Sequence, residues 1–315
     1  MKKYKNLLIT LLAIVLALSL TACSINGSIN SQDESEKSIE TANNQFPLRI
    51  TDFLGREITI NKEPENIVSL SPSTTELIYA LGAGDKIVGV TDYDNYPPEV
   101  EDVPKVGGYV GPNVEMITAQ NPDIIFVSPL SGKDEMESLE NMNIPVVMLE
   151  STNIDQIYKS IKIISRITNT KQKGEEVAKE MQDKIKQIND TVQDLPTAKV
   201  FYLVSLNGNW TAGKGTFIDE IINLAGGENI AEDVDGWSKY SMEELVNKNP
   251  DVIITAAHAG DVKSLKTIEG YKDTKAVKND NVFILSNDDL ISRASNRIIF
   301  GLEEIAKFLH PEAFN

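Results

Sequence analysis

Cysteine is almost absent from this 315-residue chain, Cys23 being the only one, so the fold rests on an apolar core and not on disulfides. Histidine is nearly as scarce. His258 and His310 are the only two, and they are far apart with no H-x-x-x-H spacing, which removes the common imidazole metal centre. Without a G-x-S-x-G elbow or a further cysteine there is no visible nucleophile, and no enzyme is expected. Positive charge is in deficit, with 30 Lys and Arg against 47 Asp and Glu for a net charge of −17. No basic stripe offsets phosphate repulsion, which excludes nucleic acid as a partner, whereas an acidic surface suits solubility and a basic partner.

Long apolar runs are also missing. The stretch from Leu7 to Leu20 is shorter than the roughly 18 apolar residues of a membrane-spanning helix. It follows Lys2, Lys3 and Lys5 and precedes Leu20-Thr21-Ala22-Cys23, the order of an export signal. Leu-Thr-Ala-Cys resembles a bacterial lipobox, so residues 1–22 read as a lipoprotein signal peptide and Cys23 as the lipidated first residue of the mature chain. Residues 23–45 are rich in Ser, Asn, Asp and Glu, bury too little apolar surface to fold, and read as a disordered tether. The chain is expected to be exported and held to the outer face of the bacterial cell membrane through this lipid anchor only.

What is present is a repeat. Residues 108–125 align without a gap on residues 236–253, with six of eighteen positions identical. The shared pattern, G-[YW]-x3-[NS]-x-E-x-[IL]-x3-N-P-D-[IV]-I, describes a loop aromatic, a helix N-cap, an early Glu, a turn and a buried strand. An offset of 128 residues exceeds the roughly 20 to 50 of a solenoid unit. It implies two similar lobes facing each other, with repeated aromatics at a shared cleft and repeated carboxylates on matching surfaces.

The remaining patterns fit an α/β chain. Phe46 to Asn61 alternates as two short strands around Asp52-Phe53-Leu54-Gly55-Arg56, a hairpin. Buried strands at Ile67 to Leu70, Ile87 to Val90, Ile124 to Val127 and Val146 to Leu149 alternate with helical stretches, as in a parallel sheet. Ser73-Thr74-Thr75-Glu76 reads as a capping box, which accounts for Glu76. The second lobe repeats the order, and Glu76-Leu77-Ile78-x3-Gly82 parallels Glu220-Ile221-Ile222-x3-Gly226. Between the lobes, apolar residues recur at helical spacing from Asn153 to Thr168 and from Lys171 to about Gln193 with no Gly/Ser hinge. The chain thus divides into an N-terminal lobe (46–168), an interlobe helix (169–195) and a C-terminal lobe (196–315).

Several groups of residues bear on function. Glu115 and Glu243 each take the second helical position behind the N-caps Asn113 and Ser241. Complementing the helix dipole would explain either one alone. Both in one register point to docking on an Arg-bearing partner. Tyr93, Tyr109, Trp210 and Trp237 fall in predicted loops, where they either pack locally or present their faces to a ligand. Gly208 to Thr216 nearly matches a phosphate-binding loop, but Gly215 follows Lys214 and supplies no hydroxyl for magnesium. His258 reads as a solvated loop residue or an axial ligand. Asp289, Arg293 and Arg297 surround the last strand-to-helix junction, either as a surface ion pair or reaching the ligand crevice.

From Phe46 to Asn315 the chain resembles the ABC-importer binding proteins for vitamin B12, iron siderophores and haem. The segments Tyr93-Asp94-Asn95-Tyr96-Pro97-Pro98, Trp210-Thr211-Ala212-Gly213-Lys214, Gly226-Gly227-Glu228-Asn229-Ile230 and Arg293-Ala294-Ser295-Asn296-Arg297 are similar to the cobalamin-binding branch in particular. The resemblance implies two Rossmann-like lobes with parallel sheets, joined by a long rigid α-helix, with the ligand cleft between them. It implies that Tyr93, Tyr109, Trp210 and Trp237 pack on a corrinoid, that Asp289 and Arg293 reach its polar groups, and that Glu115 and Glu243 meet arginines of the permease. Tyr109 departs from the pattern, standing where the best-known members carry Trp. The expected protein is a monomer that carries cobalamin, or alternatively a ferric siderophore or haem, to a permease and its ATPase, with no cofactor of its own.

Overall fold

The computed structural model describes residues 46–314 apart from Tyr109. The expected signal peptide, Cys23 and the expected tether therefore lie outside the described residues, as does Tyr109.

The chain opens with the expected hairpin, β1 (Leu48–Thr51) antiparallel to β2 (Glu57–Ile60). Asp52 builds its turn, Oδ1 accepting the N–H of Leu54 at 2.9 Å and of Arg56 at 3.0 Å.

The first lobe follows with β3 (Ile67–Ser69), α1 (Pro72–Ala80), β4 (Ile87–Val90), α2 (Val114–Ala119), β5 (Ile124–Val127), α3 (Lys133–Glu140), β6 (Val146–Met148) and α4 (Ile154–Ile167). Its four strands form one parallel sheet in the order β4-β3-β5-β6. The chain starts inside the sheet, so its winding reverses beside β3, and the strand ends around that switch point leave a crevice. β5 is buried at every position, as a parallel strand covered on both faces must be.

Helix α5 (Lys171–Val192), 22 residues long, links the lobes. The second lobe contains β7 (Ala198–Ser205), β8 (Trp210–Ala212), α6 (Phe217–Leu224), β9 (Gly227–Asn229), β10 (Trp237–Lys239), α7 (Met242–Lys248), β11 (Val252–Thr255), α8 (Lys275–Lys278), β12 (Val282–Ile284), α9 (Asp289–Ser292) and α10 (Ile298–Leu309). Its sheet runs β10-β8-β7-β11-β12, with β9 also pairing β7. β7, β11, β12 and β9 are parallel, while β8 and β10 are antiparallel additions.

The repeat motif performs one structural task in each lobe. Asn113 caps α2 by accepting the Met116 N–H at 3.0 Å, and Ser241 caps α7 through the Glu244 N–H at 3.4 Å. Each helix leads to an asparagine of positive φ, 49° at Asn121 and 50° at Asn249, a conformation Asn tolerates better than most residues. The aspartate that follows then staples the sheet. Asp123 Oδ2 accepts the Glu65 and Asn66 N–H groups at 3.0 and 3.1 Å ahead of β3. Asp251 Oδ2 accepts the Lys199 N–H of β7 at 3.1 Å. Hydrogen bonds and the nearby Lys62 ammonium outweigh desolvation and hold the Asp123 carboxyl below the usual range.

One apolar core runs through both lobes without a break. It includes Ile67 and Ile124 of the first sheet, Ile157, Ile161 and Ile164 of α4, Val177, Met181 and Ile188 of α5, and Val200 and Ile254 of the second sheet. Helices α4 and α5 cross closely at Gly174, where an added Cβ would lie 2.7 Å from Ser165 Cβ.

Candidate functional site

A cavity of 460 Å³ lies where the carboxyl ends of the first lobe's strands face α9 of the second. Ser71 to Thr74 follow β3, Tyr93 follows β4, Ser128 to Leu130 follow β5, and Leu149 to Ser151 follow β6. Ser160 of α4 lies behind them, and the second lobe contributes Asp289, Ser292, Arg293 and Ala294. This is the crevice that the strand order creates. Most of its polar groups are hydroxyls, with Ser151 Oγ and Ser160 Oγ sharing a hydrogen bond at 3.0 Å. Glu150, Asp289 and Arg293 are the charged lining residues. Of the lining residues, Tyr93 and Leu130 are both exposed.

The Tyr93 loop is held from beneath. Asp94 is buried, its Oδ2 accepting the Thr91 N–H at 2.9 Å and the Thr91 hydroxyl at 2.5 Å. Burial pushes the Asp94 carboxyl above the usual carboxylate range, against the opposing effect of these hydrogen bonds. Lys105 Nζ closes the loop by donating to the Asp94 and Val100 carbonyls at 2.9 and 3.3 Å.

Arg293 reaches this loop from the other lobe. Its Nη2 donates to the Tyr93 carbonyl at 3.1 Å and lies 3.1 Å from Asp289 Oδ2, while Nη1 donates to Asn95 Oδ1 at 2.7 Å. Asp289 and Arg293 thus form an ion pair, and both line the cavity. Arg297 lies farther back, with its guanidinium carbon 3.6 Å from the centroid of the Tyr96 ring, a cation–π geometry.

Glu76 departs from expectation. Helix α1 begins at Pro72 behind Ser71, and no side chain caps it, so the Ser73–Glu76 pattern is not a capping box. Pro at the first position fixes the start earlier than the Ser/Thr run suggests, which leaves Glu76 in the helix middle and 2 % exposed. Its carboxylate crosses to the second lobe. Oε1 accepts from Arg293 Nη1 at 3.0 Å and Arg297 Nη1 at 2.8 Å, and Oε2 accepts from Ser295 Oγ at 2.6 Å. Its register mate in the second lobe, Glu220, crosses in the opposite direction, to the Ile154 N–H at the start of α4.

The tryptophans need a second correction, because Trp210 and Trp237 lie in strands β8 and β10 and not in loops. β8 also occupies the segment that nearly matched a phosphate loop. Trp210 pairs with Lys239, and Trp237 with Ala212, so both indoles and Lys239 share one face of a two-stranded ribbon. Trp237 is exposed, and Lys239 Nζ lies 5.8 Å from the Trp210 ring centroid. Neither tryptophan lines the 460 Å³ cavity. The structure thus gathers Tyr93, Asp289 and Arg293 at the cavity and sets the tryptophan ribbon apart from its lining.

Glu115 and Glu243 are both exposed, each one residue past the first position of its helix. Neither forms an ion pair among the described residues. His258 is also exposed, its Nδ1 lying 2.7 Å from Asp288 Oδ2. Among the described residues no group of His, Cys, Asp and Glu is arranged to hold a metal ion, and no helix is long and apolar enough to cross a membrane.

A family model described as periplasmic binding protein matches residues 67–288. The chain belongs to that family. It is 34 % identical over 306 residues to the uncharacterized ABC transporter substrate-binding lipoprotein YvrC of Bacillus subtilis (strain 168), covering 95 % of this chain and 96 % of that one. Among solved structures, the periplasmic vitamin B12 binding protein BtuF of Vibrio cholerae is 27 % identical with a TM-score of 0.69, over 80 % of this chain and 99 % of that one. The periplasmic heme-binding protein RhuT of Roseiflexus sp. RS-1 is 25 % identical with a TM-score of 0.71, over 79 % of this chain and 99 % of that one. The two lobes and the cleft are the architecture of these binding proteins. The chain is an ABC transporter substrate-binding protein, a class that carries ligand outside the cell and works with a permease and an ATPase.

Proposed function

We propose that this protein captures a cobalamin-type corrinoid in the interlobe cleft and delivers it to its permease while tethered to the outer face of the cell membrane through lipidated Cys23. The observation that carries the reading is the joining of Tyr93, Asp289 and Arg293 at one cavity among serine and threonine hydroxyls. A broad, amide-bearing ligand suits such a wall, because exposed aromatic faces supply apolar contact and hydroxyls orient the amides. The resemblance assigns further ligand contacts to Trp210 and Trp237 of the second lobe's ribbon and to Tyr109, the repeat mate of Trp237. Similarity to a vitamin B12 binding protein over nearly all of that protein's length also supports the reading.

Haem is the second reading, favoured by the likeness to a heme-binding protein. His258, held at 2.7 Å by Asp288, is the side chain to which that reading assigns the iron. Delivery to the permease rests on Glu115 and Glu243, exposed carboxylates in one register that steer a partner presenting arginines.

Titration of the full chain with cyanocobalamin, followed by calorimetry and tryptophan fluorescence, tests the ligand. Tight one-to-one binding is expected. No binding at micromolar ligand, together with haem binding lost in His258→Ala, would replace the corrinoid reading with the haem one.

A further inference from the structure

A carboxylate as buried as Glu76 is costly unless its charge is matched. Here it is matched twice from across the cleft, by Arg293 and by Arg297. Arg293 has a second carboxylate partner in Asp289. The cluster thus holds two guanidinium groups and two carboxylates, and its formal charges cancel. Of the four, Arg293 and Asp289 face the cavity, while Glu76 lies behind them with its side chain 1 % exposed. The terminal nitrogens of Arg293 are already engaged by Glu76, Asn95, Tyr93 and Asp289. An anion entering the cavity would meet an arginine whose field is cancelled by carboxylates at contact distance.

We propose that Glu76 determines the charge class of the ligand, neutralising Arg293, and Arg297 behind it, so that Arg293 does not make the floor of the cleft an anion site. With Glu150 as a further carboxylate in the lining, the cavity then selects ligands without net negative charge, recognised through carboxamide or hydroxyl groups by Ser73, Ser128, Ser292 and the Ser151–Ser160 pair. Glu76 acts through Arg293 and is a positioning residue in this role. The inference rests on the 460 Å³ cavity being the ligand site.

The test compares two probes of one shape, cyanocobalamin and its monocarboxylate in which a single side-chain amide is hydrolysed. Wild-type full chain should bind cyanocobalamin the more tightly. Glu76→Gln keeps the size and an acceptor oxygen but removes the charge, and should shift the affinity ratio toward the acid by about tenfold. A fall in both affinities with an unchanged ratio would assign Glu76 a structural role only and overturn the proposal. Asp289→Asn frees charge on Arg293 without disturbing the buried contact. It should shift the ratio in the same direction, which keeps the test decisive if Glu76→Gln fails to fold. Sulfate titration separates this proposal from the ligand assignment. If wild type binds neither corrinoid, the cobalamin reading falls, while sulfate taken up by either variant and refused by wild type still supports the role of Glu76. Equal sulfate binding by all three proteins would overturn it.

Discussion

Glu220 Oε2 accepts the Ile154 N–H at 2.9 Å, so a carboxylate on α6 of the second lobe meets the first turn of α4 in the first. Burial, followed by the neighbouring Asp155 and Asp219 charges, raises the Glu220 carboxyl above the ordinary range, while the Ile154 hydrogen bond works the other way. A raised carboxyl favours its protonated form in the folded state. Its contribution to stability is full below the unfolded value and is lost as pH rises through the raised folded value. Glu220→Gln should therefore gain thermal stability relative to wild type at neutral pH, with the advantage shrinking toward about pH 4. Paired melting curves across that range check this, and a pH-independent difference would remove Glu220 as the source.

Reversing both repeat carboxylates, Glu115→Lys with Glu243→Lys, should abolish ligand uptake in cells that depend on this transporter. Affinity for the ligand in solution should stay within about twofold of wild type, since neither residue lines the cavity and exposed charges act mainly on encounter with a partner. Normal transport by the double variant would rule out docking through these two residues.

Trp237→Ala should weaken corrinoid binding roughly tenfold or more, the scale of losing one large aromatic face. Trp210→Ala should have the smaller effect, because its ring is less exposed and is already accompanied by Lys239. Calorimetry on both variants checks the order. Unchanged affinity in Trp237→Ala would confine the site to the cavity at Tyr93 and Arg293.

Gly174→Val should destabilise the protein by about 1–3 kcal/mol, the cost of overpacking a close contact. Its added Cβ would meet Ser165 at 2.7 Å on the crossing helix. Denaturant unfolding measures the loss, and Ser165→Gly in the same chain should recover part of it.

Much of this molecule was legible because much of it is locally encoded. Asn113 and Ser241 cap helices, Glu115 and Glu243 follow them, and Ile154–Ile167 and Lys171–Val192 are helical with the expected apolar spacing. Each depends on neighbours within a few residues. The Ser/Thr run before Glu76 points to a local cap, while the actual partners of Glu76 lie more than 200 positions away. The available signal is the register mate Glu220, since Glu-Leu-Ile-x3-Gly recurs as Glu-Ile-Ile-x3-Gly and a local cap does not account for the recurrence. The strand positions of Trp210 and Trp237 are hidden in the sequence for a similar reason. Their strands have three residues each, too short for alternation, and exist only because they pair with each other and with β7.

The repeat describes two halves, yet the uninterrupted core makes the halves inseparable. A chain ended after α4 would lose the cover that α5 gives Ile161 and Ser165 at Gly174, and a chain begun at β7 would lose the α5 surface on which α10 packs. Each Å² of apolar surface left wet costs about 25 cal/mol, so either fragment starts at a loss against the whole chain. Whatever duplication produced the pattern, it no longer yields two miniature proteins. A split reporter or a half-sized binder made from this scaffold will have to replace that shared interior before either piece can stand alone.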